Sequence, residues 1–407
     1  MTDIAPVMPE VNFGTDPVED LHERMAQLHA EGRRVVPVRY IDGIAWLILK
    51  YDDLSEAFSD DVKLPSAPGY ERISMPSMGR TMQAMKGEEH RINRALVAGA
   101  FQPAVIRKAA TEMLVPFANR LIDGFADRRQ LDLVPEYTHR YPFGVISNLL
   151  GIPIDDEKQV MDWVYGVLRF PWEPDKALQA RRDLDVYLTP ILEERRVNPK
   201  EDVISRLVTA ELEGHKLTNE EIFAFLRLIY PAGAETTFLT MGSMMLEVLS
   251  DRALYQRLKG HPEDRVVAVE EALRRHGATP LLPRFTENAV NIGGVDIPAN
   301  SQLLYGIAPA SHDPEEFEDP RTFSLERRPN RHLAFGKGVH FCLGSHLARE
   351  ELRVSLTLLL DRLPGLRRAE GEDAAIVGAP LRGVHKLIVE YDDVLPAIGY
   401  ESQRIAL

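Results

Sequence analysis

The chain has 407 residues, a formal net charge of -14 and one cysteine. A single cysteine excludes an intrachain disulfide framework and a cysteine-rich metal site, and the acidic balance excludes sequence-independent nucleic-acid binding, which needs a basic surface. Hydrophobic content of 44% and charged content of 27% suit a globular chain with a large core, and no apolar run reaches the ~18 residues of a membrane helix. The N-terminal stretch is acidic and lacks the basic and apolar parts of a secretory signal, which predicts a cytoplasmic protein. In chain order, Val18 to Ala30 reads as a helix, and Arg34–Tyr40 and Ile44–Leu49 as strands of a hairpin turning at Asp42-Gly43. A short helix is expected around Asp53–Phe58. Pro65, Pro68, Gly69, Pro76 and Gly79 make Leu64 to Lys86 read as irregular. Helical patterns dominate from Glu88 to about Gly277. Glu287 to Ile307 reads as strands, Ser311 to Lys337 as loop and Ser345 to Asp361 as the last helix, with a small β-region closing the chain. No composition shift marks a boundary, so residues 1–407 read as one mainly α domain with a small β-rich region. Residues 1–15 and 395–407 are expected at its periphery.

The sharpest local feature is Phe335-Gly336-Lys337-Gly338-Val339-His340-Phe341-Cys342-Leu343-Gly344. Its glycines permit positive φ and close backbone approach to a bound group. A strong helix-forming run follows, so Cys342 stands at a loop-to-helix junction. Free N–H groups and the positive dipole end there favour thiolate over thiol. Read alone, such a cysteine is either a soft metal ligand or nucleophile, or a small buried hydrophobe.

This run resembles the haem-binding loop of the cytochrome P-450 family, Phe-Gly-x-Gly-x-His/Arg-x-Cys-x-Gly, and meets every fixed position. The resemblance implies that Cys342 is the axial ligand of a haem b (iron protoporphyrin IX), with Phe335, Gly336, His340 and Gly344 around it. A thiolate ligand pushes electron density onto iron and favours O–O cleavage. Glu271 and Arg274, at i, i+3 on one helix face, match the family's Glu-x-x-Arg clamp, with Arg327 as third member.

A long helix from Thr218 to Leu249 begins with the capping box Thr218/Glu221 and carries Pro231 and Gly233 in its interior. These residues cost about 3 and 1 kcal/mol relative to Ala, which predicts a local distortion. The segment Ala232-Gly233-Ala234-Glu235-Thr236-Thr237 resembles the family's oxygen-binding helix. By that match Thr236 is the alcohol that hydrogen-bonds iron-bound oxygen and Glu235 the acid that feeds protons, with Ala232 and Gly233 against the cofactor. His90 and Arg94, at i, i+4, match a propionate-binding His-x-x-x-Arg pattern, and Arg284 and His340 complete that set.

The resemblance covers about Asp16 to Tyr391 and implies a triangular, mostly α prism. It also implies an O2-dependent monooxygenase that acts on a small-to-medium hydrophobic substrate. No Gly-x-Gly-x-x-Gly fingerprint is present. Electrons would therefore arrive from NAD(P)H through a separate ferredoxin and ferredoxin reductase, docking near Lys337, Arg331 and Arg349. A monomer is expected. Met75, Met78, Met82 and Met85 form either an adaptable apolar lid or gap-filling core. Phe170, Trp172, Leu226, Tyr230, Leu281 and Leu282 are further candidates to line the substrate cavity. Arg382 and His385 are expected at the surface. A peroxide-driven peroxygenase and a non-catalytic haem sensor are alternatives, and neither needs the Glu235–Thr236 pair.

Overall fold

Residues 5–399 other than 213 are described by a computed structural model. Helix α1 (Leu21–Ala30) precedes the expected hairpin, in which β1 (Val35–Tyr40) pairs antiparallel with β2 (Gly43–Ile48). Helix α2 (Tyr51–Ser59) follows. The stretch 64–86, expected to be irregular, folds instead into α3 (Ala67–Ile73), α4 (Met75–Met78) and a single turn at Met82–Ala84. Pro68 and Pro76 fall in the first turns of α3 and α4, where a missing N–H removes no helical hydrogen bond. These prolines start helices rather than break them.

Helices α5 (Gly87–Ala98), α6 (Pro103–Ala109) and α7 (Val115–Asp123) lead to β3 (Gln130–Asp132). Then come α8 (Arg140–Leu150), α9 (Glu157–Gly166), α10 (Pro174–Val197) and α11 (Val203–Thr209). A small hairpin, β4 (Glu211–Leu212) and β5 (His215–Lys216), precedes α12 (Asn219–Ser250), α13 (Arg252–Gly260) and α14 (Arg265–His276). Strands β6 (Leu281–Phe285), β7 (Val290–Ile292), β8 (Val295–Ile297) and β9 (Gln302–Gly306) lead to α15 (Ile307–Ser311) and α16 (Ser345–Arg362). The pairs β10 (Arg367–Arg368), β11 (Ile376–Val377), β12 (Gly383–Val384) and β13 (Ile388–Glu390) close the chain. The fold is mainly α with small sheets, the largest ordered β1-β2-β9-β6. Among the described residues no helix is long and apolar enough to cross a membrane.

Helix α12 organises the core. The capping box at its start forms as expected, with the Thr218 hydroxyl accepting from the Glu221 N–H and the Glu221 carboxylate accepting from the Thr218 N–H. The helix is apolar all round, as befits a helix buried on every side. It runs unbroken through Pro231 and Gly233, so the expected distortion does not interrupt it. Packing outweighs propensity here: a Cβ on Gly233 would stand 3.1 Å from Ile146, so glycine lets α12 lie close against α8. Residues 11–13 also depart from expectation. Phe13 is fully buried among residues of α1, β1 and β2 rather than at the periphery. The outermost residues of both termini lie outside the described residues.

Candidate functional site

The cysteine loop bridges β9–α15 and α16. Gly336 and Gly338 have φ of 67° and 74°, the left-handed region that glycine tolerates. A Cβ on Gly338 would sit 2.6 Å from the Phe58 carbonyl oxygen, and one on Gly336 3.3 Å from the Phe58 ring. These glycines permit close approach to the end of α2, and Gly336 also lines the cavity beside Cys342. The Cys342 N–H donates to the Phe335 carbonyl at 2.9 Å and closes the loop. The N–H groups of Gly344 and Ser345, where α16 begins, favour negative charge on the sulfur, and the Ser345 N–H donates to the Cys342 carbonyl at 3.4 Å. Burial pushes the Cys342 thiol up from its ordinary pKa, against those two donors and the charges of Arg94 and Arg349. A coordinated soft metal would reverse that balance, because a coordinating thiol is deprotonated outright.

The Cys342 thiol is exposed to a cavity that holds about 1480 Å³ of atom-free space, part of it open to solvent. Phe335, Gly336, His340, Phe341 and Gly344 form one wall, and a stripe of α12 containing Ile229, Ala232, Gly233, Thr236, Thr237 and Thr240 forms another. The i, i+3, i+4 spacing of that stripe is that of one helix face. A side chain built on Gly344 would meet nothing within 4 Å, so the cavity is open at that residue.

Two arginines converge on this cavity without anions to match among the described residues. Arg284 on β6 lines it and is only 5% exposed, yet it donates solely to neutral oxygens: the Tyr70 hydroxyl at 3.3 Å and the Pro283 carbonyl at 3.0 Å. Arg94 lines it too, and its Nη2 donates to the Phe341 carbonyl. Among the described residues neither has a carboxylate partner. His90 is buried, its Nε2 has no partner among the described residues, and its ring centre lies 4.2 Å from that of His340. Burial, then His340 and Arg94, push the His90 pKa down to about 4. His340 Nε2 lies 3.2 Å from the Asp61 carboxylate and 3.0 Å from the Ser66 hydroxyl. Burial would raise Asp61, but the His340 contact holds it below its ordinary value. A buried cation without a counter-ion, as Arg284 is among the described residues, is costly. The donor set fits a group that carries two carboxylates, and a haem held through Cys342 would meet that description.

The paired residues of α12 point in different directions. Thr236 faces the cavity, its hydroxyl donating to the Ala232 carbonyl at 2.8 Å. Glu235, one residue and about 100° away, faces Tyr165 and Arg169 instead of the cavity wall. Burial pushes its pKa up to about 7, with Arg169 opposing.

The sequence candidates for the substrate wall divide. Met82 and Leu282 line the cavity. Met78 and Met85 are buried in the core, as the gap-filling reading required, and Met75 is half-buried away from the cavity. Leu281 and Leu282 lie on opposite faces of β6, so only one can reach the cavity; Leu281 packs against the β1–β2 side. Tyr230 turns off the α12 stripe, stacks on Phe143 and bonds Ser147 at 2.5 Å, and Leu226 is core one turn nearer the N-terminus. Phe170 is half-buried and Trp172 is 41% exposed, its indole N–H donating to the Gly14 carbonyl at 2.8 Å. Neither lines the cavity. Lining residues not foreseen include Tyr70, Gln83, Phe101, Ile146 and Thr240. Of these only Thr240, one turn beyond Thr236, carried a signal in its helical spacing.

The clamp forms as expected. Arg274 donates bidentately to Glu271 at 2.8 Å and 2.8 Å, Arg327 reaches Glu271 at 3.3 Å, and Asn330 adds a bond at 3.0 Å. Two surface expectations fail. Arg382 is buried, its guanidinium holding the Val18, Gly378 and Glu19 carbonyls. Arg349 is committed to Glu270 at 2.7 and 2.9 Å and lies over the Phe335 ring, so it is not a free docking charge. Lys337 and Arg331 are exposed.

A cysteine loop facing an alcohol-bearing helix across a cavity rimmed by unmatched cations is the architecture of a haem-thiolate protein. The family model described as "Cytochrome P450" matches residues 266–364, which hold the clamp and the loop. The putative cytochrome P450 YjiB of Bacillus subtilis is 34% identical over 342 residues, covering 82% of this chain and 85% of that protein. The cytochrome P450 monooxygenase PikC of Streptomyces venezuelae is 32% identical over 375 residues, covering 89% and 88%. The crystal structure of CYP109E1 from Bacillus megaterium in complex with testosterone superposes with a TM-score of 0.83 at 28% identity, covering 92% of this chain and 98% of that one. The chain belongs to the cytochrome P450 family, and it is an O2-dependent monooxygenase.

Proposed function

We propose that Cys342 ligates the iron of haem b and that the enzyme oxidises a small-to-medium uncharged hydrophobic molecule, with electrons from a separate ferredoxin and its reductase. The observation that carries this reading is the Cys342 thiol opening on a cavity whose buried Arg284 has no counter-ion among the described residues. When bound, haem supplies the activation of O2. Arg284, Arg94, His90 and His340 would bind its two carboxylates. The Gly344 and Ser345 N–H groups would favour negative charge on a ligating sulfur. Ile146, Ile229, Met82 and Leu282 give apolar walls that exclude water and favour a substrate without charge. Thr236 would release the Ala232 carbonyl to turn its hydroxyl toward the sulfur side. Glu235, with a pKa near neutrality, could hold and release a proton, and would need to turn from its present direction to pass it toward that hydroxyl.

The chain is proposed to act as one domain and as a monomer. The carbon monoxide difference spectrum of the reduced protein tests the central claim. A strongly red-shifted Soret band is expected; haem binding without that band would exclude thiolate ligation.

A further inference from the structure

Thr240 stands one turn beyond Thr236 on the cavity face of α12 and is 4% exposed. Its hydroxyl donates to the Thr236 carbonyl at 2.9 Å and accepts the Ala278 N–H at 3.2 Å. Ala278 belongs to the segment 277–279, which lines the same cavity between α14 and β6. The Ala278 carbonyl in turn accepts the Arg382 N–H at 2.9 Å. Arg382 is itself fixed by three backbone carbonyls. One hydroxyl therefore ties the helical turn that presents Thr236 to a rigid segment on the cavity edge.

The bond has directional consequences. A threonine that back-bonds the i-4 carbonyl tilts that carbonyl and bends the helix locally. Here two such bonds run in succession, Thr236 to Ala232 and Thr240 to Thr236. The second is anchored from outside the helix, so it sets where the first one sits. Valine would fill the same space but leave the Ala278 N–H buried without an acceptor.

We infer that Thr240 is a positioning residue for Thr236, fixing the height and tilt of the turn that presents the Thr236 hydroxyl. The inference rests on the proposed role of Thr236. Coupled turnover consumes O2, two electrons and two protons to give one hydroxylated product and one water. Uncoupled turnover uses the same O2, electrons and protons to give hydrogen peroxide. Both draw equally on NADH through the redox partners, so product formed per NADH reads positioning and not electron supply.

The experiment compares holoenzyme wild type, Thr240→Val and Thr240→Ser with a ferredoxin and its reductase. The probe is the member of a steroid, terpene and aromatic panel, testosterone included, that gives the largest spin-state shift. Thr240→Val is expected to consume NADH normally while product per NADH falls about fivefold or more, with peroxide rising to match. Thr240→Ser should restore the wild-type ratio. Independently of turnover, hydrogen exchange at the Ala278 amide should quicken about tenfold or more in Thr240→Val and not in Thr240→Ser. Faster exchange with unchanged coupling in Thr240→Val would make the hydroxyl merely structural and overturn the inference, as would Thr240→Ser behaving like Thr240→Val. If Thr240→Val does not load haem, Thr240→Ala leaves room for a water to accept the Ala278 N–H. Lost coupling there supports the inference and retained coupling overturns it. A wild type without the red-shifted carbon monoxide band fails the haem-thiolate reading and the inference with it. Active wild type with an unaffected valine variant fails the inference alone.

Discussion

The Arg284 guanidinium lies 5.1 Å from the centre of the Tyr70 ring and donates to the Tyr70 hydroxyl at 3.3 Å. A neutral hydroxyl cannot neutralise a buried cation. Removing this charge should therefore act in opposite directions on the two forms of the protein. In Arg284→Leu the haem-free protein should unfold at higher temperature than wild type. The loaded protein should lose haem to an acceptor such as apomyoglobin about 10- to 100-fold faster, the value of a hydrogen bond to a charged group of about 1.5–3 kcal/mol. Thermal unfolding of the haem-free form and haem-transfer rates check the two halves separately.

The clamp makes a different kind of demand. Glu271 has no exposed side-chain surface and receives Arg274, Arg327, Asn330 and the Ser324 N–H. Glu271→Gln leaves two buried guanidinium groups facing a neutral amide. Breaking a buried pair in this way costs about 3–5 kcal/mol, which should appear as a lower urea midpoint with an unchanged slope.

Glu235 should impose a pH dependence on both turnover and stability. Its folded pKa is about 7 against an ordinary value of 4.5. Between these values the folded chain holds a proton that the unfolded chain has released. Its contribution to stability is therefore intact below about pH 4.5 and is lost as pH rises to 7, by up to about 3 kcal/mol. Urea unfolding at pH 5 and pH 8 should show wild type losing stability relative to Glu235→Gln at the higher pH. In turnover, wild type should show an inflection near pH 7 in product formation that Glu235→Gln lacks.

The surface beside the cysteine loop gives a prediction with an internal control. Lys337 and Arg331 are exposed, whereas Arg349 is held by Glu270. Lys337→Glu with Arg331→Glu should lower ferredoxin-supported turnover at low salt about tenfold and flatten its salt dependence. Arg349→Met should instead lower stability, because Glu270, held down to about pKa 2 by His332 and Arg349 against its burial, loses a partner. Stopped-flow reduction across a salt series separates the two effects.

Much of the site was legible because local chemistry wrote it into consecutive residues. The loop Phe335–Gly344 needs glycine at fixed φ, a single cysteine and a helix start immediately after it, and each of these is a property of the local chain. Likewise Thr218 and Glu221 announce the start of α12, and Glu271 and Arg274 share a helix face by spacing alone.

Tertiary structure decided everything that depends on which face of an element meets which neighbour. Apolar character identified Leu281 and Leu282 equally well, and it singled out Tyr230 where Ile229 beside it lines the cavity. Only the register of β6 on β9 and the rotation of α12 turned one of each pair into the cavity. The loop glycines have a further reason that the sequence did not show, because the end of α2 occupies the space that their side chains would need. Arg349 and Arg382 read as surface charges until Glu270 and the backbone carbonyls near Val18 came within bonding distance. Sequence specifies the chemistry of each residue and its spacing along one element. Burial, counter-ions and direction arise from contacts between elements far apart in the chain, and these set the pKa of Glu235 and the exposed state of the Cys342 thiol.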